Sequence, residues 1–193
     1  EICACLVGSE MCIRDRFNLV NRCYLCKKAL FQRLKDFAAQ KGVSLILEGT
    51  NEDDLHVYRP GLQAIRELGI LSPLADTGFT KEEVRRLAGE LGVSVASRPS
   101  TPCLATRLPY GAEIKPEILE QIARGEEFLR NAGFAVVRLR LHGDIARIEI
   151  PCEKFPEFLE KRKEIVKNLK NMGFSYITLD IQGFRSGSMD ENL

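Results

Sequence analysis

Cys23 and Cys26 stand in a C-x-x-C, and Cys103 follows far down the chain in the irregular stretch Thr101-Pro-Cys-Leu-Ala-Thr-Arg107. A C-x-x-C brings two thiolates within reach of one metal, but two ligands do not make a site. Cys103 is the candidate third, flanked by Pro102 in a loop whose amides, with Arg107, can stabilise a thiolate. Three cysteines suit an iron–sulfur cluster with one iron left open, or a zinc site completed by another residue. The alternative is a dithiol C-x-x-C with an unrelated core cysteine. Cys152, beside Pro151 at the end of an alternating strand, reads as structural. The seven cysteines are odd in number, and outside a secreted context that favours metal or redox chemistry over a disulfide framework.

Two further constellations carry oxygen and nitrogen donors. The polar loop Glu48-Gly-Thr-Asn-Glu-Asp-Asp54 follows the apolar run Val43–Leu47, and ligands of open α/β sheets gather at the carboxyl ends of strands. Gly49 would permit close backbone approach there. Thr50 and Asn51 offer polar contacts, and Asp53 or Asp54 could bind magnesium. The same residues also suit an ordinary helix N-terminus with acidic groups matched to its dipole. The other constellation is a strand pair, whose side chains alternate faces. Val137, Leu139 and Leu141 face one way, Arg138 and Arg140 the other; Ala146, Ile148 and Ile150 oppose Arg147 and Glu149. A hairpin would gather three arginines and a glutamate on its non-core face, where guanidinium forks match phosphate or carboxylate. Arg185, in the loop Gly183–Met189, could join them. A solvated face with cross-strand ion pairs is the competing reading. His142 and His56 read as surface residues.

The elements that must position these groups fall into two patterns. Leu25, Ala29, Leu30, Leu34, Phe37 and Ala38 predict a helix over 21–40, stopped by Gly42. Val43–Leu47 and Ile70–Leu74 predict short buried parallel strands. Pro60 and Gly61 open another helix, and Thr80-Lys-Glu-Glu83 is a capping box. Strands alternating with helices predict an α/β layer on a parallel sheet, over 17–112. Beyond it come a helix from Pro116 to about Asn131, strands 135–141 and 145–150, a helix over 153–172 and a strand over 175–181. That order predicts a small ferredoxin-like α+β domain at 113–193. A net charge of +1 leaves no global field for nucleic acid or an anionic membrane. No apolar run approaches the roughly 18 residues of a spanning helix, no secretory signal is evident, and a cytoplasmic location is expected. Glu1–Arg16 has no usable periodicity, and Met11-Cys-Ile-Arg-Asp15 is what one frame of a common sequencing-library adapter encodes. We expect residues 1–16 to be adapter-derived and set Cys3, Cys5 and Cys12 aside. Resequencing without that library chemistry and recovering the same codons would refute this.

In order along the chain, NRCYLCKKALF (21–31), EGTNEDDLHVYRPGLQAIRELGILSPL (48–74), RPSTPCLATRLPYG (98–111), VRLRLHGDIARIEI (137–150) and GFSYITLDIQGFRSGSM (173–189) resemble the LarE family. The resemblance covers essentially 17–193. It implies a PP-loop (ATP-pyrophosphatase) α/β domain, Rossmann-like, followed by a small α+β domain. It also implies an ATP-dependent sulfur transferase of nickel-pincer nucleotide cofactor synthesis. In that family the carboxylates of a pyridinium-3,5-biscarboxylic acid mononucleotide are adenylylated and then converted to thiocarboxylates. The implied cofactors are ATP with Mg2+ and a [4Fe–4S] cluster on Cys23, Cys26 and Cys103, as in three-cysteine members. Cys103 matches the sulfur-donor position of single-cysteine members. Gly49, Thr50, Asn51 and Asp54 resemble the nucleotide loop, while Arg107, Arg138, Arg140, Glu149 and Arg185 match the region lining a phosphate-binding cavity.

One departure is plain. The family's S-G-G-x-D-S PP-loop, which grips pyrophosphate through backbone amides and a helix N-terminus, does not occur in this sequence. It is expected upstream of Phe17, so the chain by itself is expected not to adenylylate. Two other functions fit parts of the pattern. A PP-loop tRNA thiolase also uses cysteine-bound clusters, but predicts a basic surface that the near-neutral charge disfavours. A zinc-stabilised, non-enzymatic binding module would need only Cys23, Cys26 and further ligands. The expected partners are a small-molecule nucleotide and further copies of the chain, with neither nucleic acid nor membrane.

Overall fold

A computed structural model describes residues 17–97, 102–185 and Met189. The expectation for residues 1–16 lies outside them, as do Arg98–Thr101 of the Pro-rich stretch and part of the last loop. The chain divides into two compact units, one spanning Val20–Thr101 and the other from Pro102 onward together with the residues before Val20.

In the Val20–Thr101 unit, α1 (Arg22–Gln40) forms where the apolar spacing places it. It packs against α3 (Gly61–Glu67). Their approach is close at Gly61, where a Cβ would come within 2.8 Å of Lys27 Cδ. The pair is also tied by Tyr24 Oη and Lys28 Nζ, each donating to Glu67 at 2.7 Å, and by Lys35 Nζ on the Leu68 carbonyl. Short helices α2 (Glu52–Leu55) and α4 (Pro73–Asp76) and the longer α5 (Lys81–Glu90) complete the unit. The Thr80–Glu83 capping box at α5 is formed in both directions.

The parallel strands expected at Val43–Leu47 and Ile70–Leu74 are reduced to a single parallel bridge, Leu47 to Leu71. A parallel strand is stable when neighbours cover both its faces. Here Val43, Leu45 and Leu47 remain 50%, 57% and 55% exposed. Pro73 at the start of α4 converts the tail of the second run to helix. The buried apolar side chains are few: Ala64, Ile65, Ile70 and Ala75.

The other unit holds the larger core. Its helix α6 (Pro116–Asn131) precedes the hairpin β1 (Arg138–His142) and β2 (Ile145–Glu149). Helices α7 (Phe155–Glu160) and α8 (Arg162–Asn171) then cross over to β3 (Tyr176–Leu179). The sheet order is β1-β2-β3, antiparallel then parallel. The single helix expected over 153–172 is a 3-10 turn at Cys152–Lys154 followed by two helices that meet at Lys161. Lys161 Nζ turns away to the Ala132 carbonyl and Glu157, both at 2.8 Å.

Leu119, Ile122 and Leu129 of α6, Leu139, Ala146 and Ile148 of the hairpin, and Ile165 and Leu169 of α8 fill the core. Leu108 is part of this core, and Cys103, Leu104 and Ala112 pack against it. Asn18, fully buried, draws the preceding segment into the same unit. Its side-chain amide donates to the carbonyls of Leu108 (2.7 Å) and Pro109 (3.1 Å), and its backbone exchanges hydrogen bonds with Gly111 and Ala112. Among the described residues no helix is long and apolar enough to cross a membrane.

Candidate functional site

The hairpin register sets the polar face of the sheet. Arg138 pairs with Glu149 and Arg140 with Arg147, while Leu139 faces Ile148 on the core side. The four polar residues therefore share one face, as their alternation requires. That face is not solvated at this end: Arg140 is 3% exposed and Glu149 not at all. Arg140 Nε donates to Glu149 Oε1 at 2.6 Å, and its Nη1 to the Thr106 carbonyl at 2.7 Å. Arg147 Nη2 donates to the same carboxylate oxygen at 2.8 Å. Its Nε stands 3.6 Å from Asp180 Oδ2.

A second buried pair lies along the outer edge of β1. The Arg107 guanidinium is forked onto Glu126, through Nε and, at 3.3 Å, through Nη2. Glu126 also accepts the Leu139 amide at 3.1 Å, which satisfies a donor on the free edge of the strand. Both residues are 3% exposed.

Arg138 is different. It is half-buried, and among the described residues no carboxylate pairs with it. Its guanidinium carbon lies 4.7 Å from the centre of the Phe184 ring. Burial, then the neighbouring Arg107 and Arg140 cations, press its pKa below the usual arginine range. Two arginines are neutralised by buried glutamates while a third, next to them, is not. An added anion would gain most at such a point.

The loop carrying Cys103 is fastened into this layer. Cys103, partly buried and outside any disulfide, precedes the 3-10 turn Leu104–Arg107. Its carbonyl accepts from Thr106 Oγ1 at 2.6 Å, and Arg107 Nη1 donates to that hydroxyl at 2.9 Å. The Thr106 carbonyl is the one held by Arg140. The structure thus brings Cys103, Arg107, Arg138, Arg140 and Glu149 into one unit. Arg185 belongs to it as well, with Nη1 3.4 Å from the Gly183 carbonyl.

The sequence reading did not single out Glu126, Thr106 or Phe184. Only Glu126 left a periodic signal. It lies four residues after Ile122 and three before Leu129, inside the apolar stripe of α6, where a charge needs a buried partner.

The other candidates lie in the Val20–Thr101 unit. Cys23 and Cys26 occupy the first turns of α1 outside any disulfide, exposed and partly exposed. Arg22 Nη2 is 3.4 Å from Cys23 Sγ. Among the described residues, no group of three or more His, Cys, Asp or Glu side chains is placed to hold a metal ion. In the loop, Asn51 and Asp54 form a reciprocal capping box on α2. Asp54 also pairs with Arg59 at 2.7 Å, and Asp53 accepts the Lys81 amide. Their side chains thus have structural partners, as the helix-terminus reading requires. A Cβ at Gly49 would meet nothing within 4 Å, so the backbone there is open to approach. Thr50, buried, lines a cavity of about 240 Å³ together with Leu62, Ile65, Ile70, Ser72 and Asp76.

Glu48 anchors that loop. It accepts from Ser72 Oγ and, at 3.0 Å, from the Thr50 amide, with Lys27 Nζ 3.6 Å away. Burial alone would raise its pKa, but the Ser72 and Thr50 hydrogen bonds and Lys27 together hold it below the ordinary glutamate value. A depressed carboxyl pKa stabilises the fold above the unfolded value, about 4.3, and that contribution fades as pH falls through the folded pKa. The stability advantage of the parent over Glu48→Gln is therefore expected to be full at pH 7 and to shrink below about pH 4. Urea unfolding midpoints across that range measure it. A gap independent of pH would exclude an ionised Glu48 as the anchor.

No protein-family model matches the chain. Three curated proteins are similar to it over most of its length. A protein from Synechocystis named only as uncharacterized is 42% identical over 178 residues, covering 91% of this chain and 66% of its own length. The pyridinium-3,5-bisthiocarboxylic acid mononucleotide synthase of Lactiplantibacillus plantarum is 40% identical over 170 residues, 88% of this chain and 62% of the synthase. A further uncharacterized protein, from Methanocaldococcus jannaschii, is 36% identical over 169 residues, 88% of this chain and 66% of that protein. The chain therefore spans between 62% and 66% of the length of these relatives. Over that span the chain is similar to the L. plantarum synthase.

Proposed function

We propose that the protein takes part in ATP-dependent sulfur transfer to a carboxylate of a pyridinium mononucleotide, the LarE-type reaction. The observation that carries this reading is Arg138, a half-buried guanidinium with no carboxylate partner among the described residues, set beside Arg107 and Arg140. Arg138 binds the substrate phosphate or a carboxylate, while Arg140 and Arg107, already neutralised, shape the seat. The name of the L. plantarum relative supports the substrate class. ATP with Mg2+ is taken at the Gly49–Asn51 loop, where the backbone is open, and a carboxylate oxygen bonds to its α-phosphorus as pyrophosphate leaves, a step that needs the PP-loop expected upstream of Phe17. Transfer forms a C–S bond at the acyl carbon as the C–O bond to AMP breaks, with the electron pair departing on AMP. The chain contributes by holding that carbon near the sulfur.

Cys23, Cys26 and Cys103 are outside any disulfide, and cysteine thiolates are the donor class that iron–sulfur clusters take. Under this proposal they hold a [4Fe–4S] cluster, which when bound supplies sulfide sulfur. Cys103 lies in a loop fixed by Thr106 and Arg107, so its backbone is held in place before any ligand binds.

The test uses an intact relative that carries the S-G-G-x-D-S loop, reconstituted anaerobically with iron and sulfide, then given Mg-ATP and pyridinium-3,5-biscarboxylic acid mononucleotide. AMP release and a product in which sulfur replaces oxygen, read by mass spectrometry, are expected, and both a brown chromophore and product should be lost when the cysteine matching Cys103 is replaced by Ala. Stoichiometric zinc without a chromophore would replace this reading with a metal-stabilised binding module. Sulfur appearing in bulk tRNA, and not in the mononucleotide, would replace it with a tRNA thiolase.

A further inference from the structure

We propose that Phe184 is a positioning residue for Arg138, holding its guanidinium by the ring face so that its N–H donors stay free for an oxyanion. This rests on the reading of Arg138 as the anion seat and adds to it the device that keeps the seat open.

The arginines of this layer are held in two ways. Arg107 is forked onto Glu126, and Arg140 is bound to Glu149 and the Thr106 carbonyl. Arg147 likewise shares Glu149. Each of these contacts fixes a guanidinium by occupying its donors. Arg138 has the Phe184 ring instead, at 4.7 Å from its carbon to the ring centroid. A ring face attracts a cation through its quadrupole and takes no N–H in return. A carboxylate in the same place would fix the fork equally well but would compete with the ligand for the same donors.

The backbone delivers Phe184 to this point. After β3 the chain turns through Asp180, whose carbonyl accepts the Gly183 amide, and Phe184 N then donates to the Ile150 carbonyl at 2.9 Å. Gly183 makes the approach possible. Its φ is +75°, and a Cβ there would lie 2.6 Å from Cys152 Sγ and 3.3 Å from the Ile150 oxygen. A side chain at 183 would be strained by that φ and would crowd Cys152 Sγ and the Ile150 carbonyl, the same carbonyl that accepts the Phe184 amide.

The experiment measures binding of pyridinium-3-carboxylic acid mononucleotide, and separately of inorganic phosphate, to full-length protein by calorimetry. Phe184→Leu keeps apolar bulk and removes the ring, and about tenfold weaker binding of both probes is expected. Phe184→Tyr keeps the ring and should bind within about twofold of the parent. An independent readout is the Arg138 Nε–H proton in an NMR spectrum. Ring current should shift it upfield in the parent and in Phe184→Tyr, and the shift should vanish in Phe184→Leu.

Unchanged binding by Phe184→Leu, with binding lost in Arg138→Met, would overturn the role of Phe184 and leave the anion seat standing. Unchanged binding by Arg138→Met would overturn the seat itself. If Phe184→Leu does not fold, an unshifted Arg138 proton in the parent overturns the proposal on its own.

Discussion

Arg138→Met is expected to weaken binding of a pyridinium mononucleotide by about a hundredfold while leaving the thermal midpoint unchanged or slightly raised. The affinity loss follows from removing charge-assisted hydrogen bonds to the ligand, worth about 1.5–3 kcal/mol. The stability expectation follows from the surroundings. Arg138 has no carboxylate partner among the described residues, and burial with the Arg107 and Arg140 cations works against its charge, offset only in part by Glu149 and Glu126. Removing a half-buried cation that is repelled by two others does not cost the fold an ion pair, and methionine fills the stem volume. Calorimetric titration and a thermal melt on the same preparation separate the two effects. A variant that binds as the parent does would remove the anion seat from the proposal. Equal loss of binding and of midpoint would mean that Arg138 is structural.

Glu149→Ala is expected to have the opposite signature, destabilising the C-terminal unit by about 3–5 kcal/mol. Glu149 is fully buried and its Oε1 accepts from both Arg140 and Arg147. Truncation leaves Arg140, 3% exposed, as a charge without its counter-ion in a low-dielectric setting. The cost comes from stranding that cation, because the intact pair has already lost its hydration. The double replacement Arg140→Met/Glu149→Leu is therefore expected to recover most of the loss, to within about 2 kcal/mol of the parent. Urea denaturation of the parent, both single variants and the double closes the cycle. If the double variant is no more stable than Glu149→Ala, the pair contributes geometry that hydrophobic packing cannot replace.

The second unit was readable in the sequence wherever local periodicity and global packing agree. The apolar stripe of α6 and its Pro116 start predict the observed helix, and the alternation in 137–150 gives the strand pair and its two faces. Period-two patterning fixes which residues share a face. It does not say whether that face is wet, so ion pairing was foreseeable while the burial of Arg140 and Glu149 was not. What covers the face, the Leu104–Arg107 turn, comes from a segment rich in proline and serine with no periodicity to read.

Val43–Leu47 and Ile70–Leu74 mark the other limit. Short apolar runs report a preference for burial, yet a strand also needs neighbours, and these two runs reach only a single bridge. The loop that follows shows the same ambiguity in polar form. Asn51 and Asp54 fit both a ligand loop and a capping box, and the capping box is formed. For the three cysteines, spacing identifies the chemistry they could share. The structure assigns Cys23 and Cys26 to one unit and Cys103 to the other.

The lacing at Asn18 bears on how the gene can be trimmed. Phe17–Leu19 contributes no catalytic group, and a protein engineer would discard it as a ragged leader ahead of α1. Doing so would strip the Leu108, Pro109 and Ala112 carbonyls of the donors they now have. The stretch they belong to directly follows the turn that holds Cys103. The Phe17–Leu19 tripeptide thus acts as a splint for the loop that bears Cys103, about 85 positions further along the chain.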